Sequence, residues 1–270
     1  MLRRLLARHL PRHRRSRLVA GLDRLCVTVH EAYENLNYDM HENGERFVLE
    51  RLARQRPGAT VFDVGANVGD WTALAAGLAP GATVHAFEIV PATHAQLVER
   101  VRGLPNVHAH PLGLGDAPGR VTVHYADDLR MVASCIEGAS RSILGVETRP
   151  IEAEVSTGDA FCAARGIRAI DFLKIDVEGY EPHVLRGFRD MLGAGSIAMV
   201  QFEYGYVNAV ERFLLRDFYD FLAPFGMRIG KIFPAHVEFR DYALREENFL
   251  GPNYLAVRET ETSLIEALSG

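Results

Sequence analysis

The sequence predicts an α/β domain built on a largely parallel sheet covered by helices. Three observations carry that reading. From residue 60 short β-branched runs alternate with runs at helical spacing. A glycine turn, VFDVGANVG (61–69), closes the first of the strands. The 270-residue chain is 48% hydrophobic, enough for one sizeable core.

TVFDV (60–64) reads as the first strand, and the run from Gly69 to about Leu78 as the helix after it. ATVHAFEI (82–89) is a second strand, ATHAQLVERVRGL (92–104) a helix, and NVHAHPL (106–112) a third strand. RVTVHYA (120–126) and PIEAEVST (150–157) read as a pair of strands with no strong helix between them, so about 117–157 is an insertion. Its middle, 127–149, is polar and glycine-containing, the kind of loop that forms a lid, a substrate wall or an ordinary surface excursion.

The alternation resumes with helix GDAFCAARG, strand AIDFLKID (169–176) and a helix opening at EGYEPHVLRGF, where Pro182 falls near the first turn and removes no helical bond. SIAMVQFEY (196–204) is a fifth strand, followed by a helix to about Phe225. GMRIGKIF and NYLAVRE, with no comparable helix between them, are expected to pair antiparallel at one edge of the sheet. The expected organisation is a basic helical arm (1–44), the sheet domain (45–260) and a tail (261–270) that frays or docks on the sheet or a second subunit.

In an open α/β sheet the ligand crevice lies at the carboxyl ends of the strands, where the strand order reverses, and the glycine turn sits there. Gly65 and Gly69 let backbone approach a ligand, and N–H groups opening the next helix favour negative charge. The turn lacks the three glycines of G-x-G-x-x-G and has no GK[ST], which disfavours a pyrophosphate cradle. A tight turn against a small carboxylate or ribose remains, with Asp63 placed to accept a hydrogen bond. Glu88 ends strand two, 25 residues after Asp63, where an acid can take both ribose hydroxyls. Asp116, in LGLGD, either contacts an adenine amino group or builds its own turn.

VFDVGANVGDWT, AFEIVP, LGLGD, DFLKIDVEGYEPHVLRGF and QFEYG, in this order and spacing, resemble the FkbM family of S-adenosylmethionine-dependent methyltransferases over about residues 45–257. The resemblance implies a Rossmann-like class I methyltransferase fold, a seven-stranded, mostly parallel sheet with an antiparallel edge strand and helices on both faces. It implies S-adenosyl-L-methionine as cofactor, held at its amino-acid end by Asp63, Gly65, Ala66, Asn67 and Gly69 and at its ribose by Glu88. It also implies O-methylation of a hydroxyl on a sugar, polyketide-type natural product or other small secondary metabolite.

Methyl transfer from a sulfonium is an in-line displacement, and a hydroxyl acceptor must also lose a proton. Lys174 and Asp176 alternate onto one face of LKID, Glu178 follows in the turn, and Glu203 ends strand five. Asp176 and Glu203 could hold Mg²⁺ through oxygen ligands, and His183 is a further candidate base. The same residues have structural readings: Lys174 pairing with Asp176, and Glu178 capping a helix. His41 and Glu45 are placed to close over the site and Tyr38 to stack on it, and a capped helix before the first strand explains the same residues. Cys135 has no evident activating partner and is given no nucleophilic role.

The first 25 residues hold eight arginines and one acid, Asp23, which suits a solvated arm, a dimer contact or weak peripheral contact with a membrane surface. Pro11 interrupts the helix, and no apolar stretch is long enough for a signal peptide or a span. A net charge of −5 and the lack of nucleic-acid motifs exclude nucleic acid as an expected partner. Cys26, Cys135 and Cys162 are far apart, so neither a disulfide framework nor a zinc site is indicated and a cytoplasmic, reducing setting fits. Two lysines, Lys174 and Lys231, against 28 arginines suggest GC-rich, bacterial coding. A homo-oligomer is compatible with all of this. The rival readings are an NAD-type oxidoreductase and a cofactor-binding scaffold without catalysis.

Overall fold

The computed structural model describes residues 1–125, 133–135 and 148–270. In chain order the strands are β1 (Thr60–Val64), β2 (Thr83–Phe87), β3 (Val107–His110), β4 (Gly113–Leu114), β5 (Gly119–Tyr125) and β6 (Ala133–Ser134). They continue with β7 (Arg149–Ser156), β8 (Phe172–Ile175), β9 (Met199–Glu203), β10 (Met227–Phe233), β11 (His236–Phe239) and β12 (Asn253–Arg258). The first helices are α1 (Leu2–His9), α2 (Arg17–Tyr33), α3 (Glu45–Gln55), α4 (Asp70–Leu78) and α5 (Pro91–Arg100).

The main sheet runs β11-β10-β12-β9-β8-β1-β2-β3. Strands β3, β2, β1, β8 and β9 are parallel, and the chain leaves β1 first toward β2 and β3 and later toward β8 and β9. That reversal places the crevice at the carboxyl ends of β1 and β8. The last two predicted strands pair antiparallel, with Met227 opposite Arg258. One detail differs from the expected edge. β12 is threaded between β9 and β10, antiparallel to both, and the hairpin strand β11 adds an eighth strand outside β10.

β1 and β8 read as largely apolar runs, each interrupted by one buried charge, Asp63 and Lys174, because both their faces are covered. Phe62 and Val64 face a core shared with Phe87, Phe161, Leu185 and Phe188. Val61 and Phe172 face the opposite layer, against Val48, Leu52 and Trp71. The predicted insertion folds as its own small sheet, β4-β7-β5-β6, in which β5 and β7 pair antiparallel. The expectation for 127–149 lies outside the described residues except for 133–135 and 148–149.

The C-terminal tail is not frayed. Thr262–Ser269 is a helix whose Leu264 and Leu268 are buried in the layer that holds Val48 and Leu52. Each such leucine contributes roughly 1.5–3 kcal/mol of burial, which outweighs the entropy that would melt an isolated short helix. The arm forms α1, a 3₁₀ turn at Pro11, and α2, whose 17 residues include none that are buried. It is tied to the body at its end, where Lys231 Nζ donates to Glu34 Oε2 (2.9 Å) and Asn35 Nδ2 donates to Ile232 O (3.0 Å). No helix among the described residues is long and apolar enough to cross a membrane.

Candidate active site

A cavity opens at the carboxyl ends of β1, β2, β8 and β9, with the glycine turn on one side and a group of acids on the other. Gly65 adopts φ +84°, and a Cβ there would lie 1.8 Å from Asp176 O. The turn therefore closes flush against the end of β8, and only glycine fits. Gly65 N and Ala66 N both donate to Phe87 O (3.0 and 2.9 Å), and Gly69 N donates to Ala66 O (2.9 Å). Asn67 N donates to Glu88 Oε2 (2.9 Å). These four donors are engaged by the protein, so any anion preference of the turn rests with the N–H groups that open α4 at Asp70.

Asn67 adopts a left-handed φ of +49°, which Asn tolerates better than most side chains. Its Oδ1 is buried with no hydrogen-bond partner among the described residues. It is an acceptor in want of a donor. Glu88 is buried, with Oε1 accepting from Val90 N (2.7 Å) and Oε2 from Asn67 N. Burial pushes its carboxyl up to about 7 against the pull of those backbone bonds, and Asp63 adds to the rise. Each oxygen keeps a second lone pair, so the carboxylate can still receive two hydroxyls of a diol.

Asp63 does not reach the cavity. It stands opposite Lys174 in the β1–β8 register, accepts from Lys174 Nζ (3.3 Å) and from Thr72 Oγ1 (2.6 Å), and is fully buried. Both of its oxygens are engaged by the protein beneath the turn. Ala66, Gly69, Lys174, Asp116 and His183 are likewise absent from the lining, whereas Gly65, Asn67, Glu88, Asp176, Glu178 and Glu203 belong to it. Asp116 accepts from His183 Nδ1 at 2.9 Å, and the His183 ring stacks behind Tyr180 with centroids 4.2 Å apart. The pair lies behind Tyr180, outside the cavity lining.

The acids converge. One carboxylate oxygen from each of Asp176, Glu178 and Glu203 lies within 4.8 Å of the others. Lys174 Nζ, itself buried, donates to Asp176 Oδ2 at 3.0 Å. Burial, then Asp176 and Glu181, pushes the Glu178 carboxyl up to about 8, and burial with the neighbouring acids raises Glu203 well above the usual range. Like charges this close share protons rather than ionise together. Glu178 holds φ +54°, a conformation a non-glycine residue adopts at a cost of about 1–3 kcal/mol and which gathers at functional sites.

Glu181, which the sequence reading passed over, sets that turn. Its Oε1 accepts from Val177 N (3.0 Å) and Gly179 N (3.2 Å), bracketing Glu178. The side chain is fully buried, and burial moves its carboxyl up to about 7. The second wall comes from the segment before α3. Tyr38 and Asn43 line the cavity, as does Glu45, whose oxygens accept from Asn43 Nδ2 (2.9 Å) and Gln201 Nε2 (2.7 Å). Burial, then Glu203 and Glu178, drives the Tyr38 phenol up to about 12. Of the other candidates in that segment, His41 is not in the lining. Pro252 and Asn253, at the start of β12, complete the rim and carried no sequence signal. Cys135 lines the cavity, with burial and then Glu181 pushing its thiol up to about 11, which makes it a poor nucleophile.

The lining thus carries five carboxyl groups, Glu45, Glu88, Asp176, Glu178 and Glu203, and among the described residues no Lys, Arg or His. Burial and mutual repulsion keep several of these carboxyls partly protonated, so a cationic occupant would draw them into the ionised form, and no lining cation is there to meet a pyrophosphate.

The profile of the methyltransferase FkbM domain matches residues 63–244. Among curated proteins, 31-O-demethyl-FK506 methyltransferase FkbM of Streptomyces tacrolimicus is 34% identical over 170 residues, covering 54% of this chain and 65% of that protein. The 2-O-methyltransferase NoeI of Sinorhizobium fredii is 25% identical over 147 residues, covering 51% of this chain and 60% of that protein. The matched region therefore spans under two thirds of these relatives' length. A crystal structure of methyltransferase FkbM from Methylobacillus flagellatus KT is 17% identical with a TM-score of 0.47, over 74% of this chain and 44% of that one.

Proposed function

We propose that this chain, which belongs to the FkbM methyltransferase family, transfers a methyl group from S-adenosylmethionine to a hydroxyl oxygen of a small acceptor. The observation that carries the reading is the charge of the cavity: five carboxyl groups and, among the described residues, no cation line it. S-adenosylmethionine supplies an electrophilic methyl on a sulfonium, and with its ammonium set against one carboxylate it carries a net positive charge that such a lining complements. The dinucleotide of an oxidoreductase would bring a pyrophosphate into the same field.

The residues divide the work by position. Glu88 receives the ribose hydroxyls through the free lone pairs of both oxygens, and the unpartnered Asn67 Oδ1 receives a donor from the amino-acid end. Gly65 keeps the turn against β8 so that these groups face Asp176 across the cavity. The acceptor hydroxyl sits on the side of Tyr38, Glu178 and Glu203. As its oxygen gains the methyl, its proton passes to the carboxylate trio, with Glu178 as the accepting member. A carboxyl raised to about 8 is a stronger base than an ordinary one, and its proton-accepting form grows as pH rises through that value. Lys174, between Asp63 and Asp176, offsets part of the negative charge the trio would accumulate. The O-linked relatives named above support oxygen as the acceptor atom.

The three converging oxygens also have the donor chemistry of a Mg²⁺ site, so the test includes a chelator. Calorimetry with S-adenosylhomocysteine should show binding, and NAD should show none. Mass spectrometry with hydroxylated acceptors should then show a gain of one methyl, retained after exhaustive chelation. Binding of NAD in place of S-adenosylhomocysteine would overturn the reading. Turnover that dies with chelator and returns with Mg²⁺ would transfer the trio from proton acceptance to metal binding. Binding without turnover across amine and hydroxyl acceptors would leave a scaffold.

A further inference from the structure

We infer that the N-terminal arm is a docking surface for an anionic lipid bilayer. Residues 1–17 hold seven arginines and no acid, in a chain whose net charge is −5. The body is therefore acidic, and the positive charge is gathered at one end. In α1, Arg3, Arg4 and Arg8 fall on one side of the helix while Leu5 and Leu6, 55% and 39% exposed, fall on the other. In α2, Leu18, Leu22, Leu25, Val29 and Tyr33 recur at spacings of four, three, four and four, which keeps them on a single face. All five are 47–88% exposed, so the stripe faces solvent along its whole length of about 22 Å.

A long apolar stripe left in water, continuous in sequence with a single-signed cluster of arginines, matches a helix lying in the plane of a membrane interface. The apolar face enters the acyl boundary, and the guanidinium groups meet lipid phosphates. Charge selects this occupant. A second copy docked arm to arm would bring a second cluster of the same sign against the first, whereas an anionic surface neutralises it. The acidic body is repelled by the same surface, so the arm alone engages. The tether at Glu34 and Asn35 leads within a few residues to Tyr38 and Asn43, so the C-terminal end of the stripe is joined directly to a segment that lines the cavity.

The test uses the full chain in a vesicle flotation assay, with phosphatidylcholine vesicles either pure or containing phosphatidylglycerol, at low and high salt, and with light scattering on the same samples. Binding to the anionic vesicles alone, weakened by salt, is expected. Replacing Arg3, Arg4 and Arg8 together by Gln should lower partition roughly 100-fold, at about a factor of five per arginine. Replacing Leu22 and Leu25 by Gln should lower it further while leaving the thermal melt unchanged, because α2 buries no residue. Equal binding to both vesicle types, no binding to either, or a dimer in scattering that the Leu22→Gln/Leu25→Gln variant dissolves would overturn the inference, the last assigning the stripe to self-association.

Discussion

Glu181→Gln turns the electrostatics beneath the site into a measurable stability. Glu181 is fully buried, its Oε1 accepts two backbone N–H groups, and its Oε2 has no partner among the described residues. Glutamine keeps the carbonyl on Val177 and Gly179 and deletes the ionisation. The carboxyl is raised from the ordinary 4.5 to about 7, by burial above all. Because this is an acid raised on folding, the sign runs opposite to that of a salt-bridged one. Below pH 4.5 both states are protonated and no penalty exists, the penalty grows between 4.5 and about 7, and it is constant above that. At about 1.36 kcal/mol per pH unit the full penalty is about 3 kcal/mol. Relative to the parent, the variant should gain about 3 kcal/mol between pH 4.5 and pH 8, appearing as a melting temperature raised by roughly 2–4 °C per kcal/mol at the higher pH. Urea denaturation of both proteins at the two pH values measures it. A difference between them that stays within about 0.5 kcal/mol across that range would refute a buried, ionisable Glu181.

Three further outcomes follow from the geometry. Glu88→Ala removes the doubly bonded carboxylate and should weaken S-adenosylhomocysteine binding by roughly 1–3 kcal/mol in calorimetry, and unchanged affinity would place the ribose elsewhere. Gly65→Ala drives a Cβ to 1.8 Å from a backbone oxygen at φ +84°, so it should abolish ligand binding and lower the melting temperature, and a variant that binds normally would contradict the fit of the turn. Leu268→Ala, at a position with no exposure, should cost about 2–5 kcal/mol in urea denaturation, whereas a cost near zero would mean that the terminal helix is not docked.

The strands were legible because burial on both faces writes a largely apolar, β-branched run, and TVFDV coincides with β1 residue for residue. Glu88 was legible for the opposite reason, as an acid at the end of such a run. The burial of Asp63 was not legible because alternation says that it shares a face with Val61 but not what that face meets; its partner Lys174 stands 111 residues away and is fixed only by register. The threading of β12 between β9 and β10 depends on pairing between segments 50 residues apart in sequence, which no local pattern encodes. Glu181 escaped notice because its bonds go to backbone, which leaves no trace in residue identity beyond one acid among several.

The reversed direction of β12 has a consequence for how such a chain can change. A strand that runs against its neighbours begins where they end, so Pro252 and Asn253 enter the cavity although the sheet there was completed by β9. The segment between β11 and β12, residues 240–252, therefore empties onto the acceptor side, as does the segment that leads into α3. Both can lengthen or change composition without disturbing the glycine turn, which is built from a different stretch of chain. Recruitment of a new acceptor then becomes a matter of rewriting two connectors, with the methyl-donor half inherited intact.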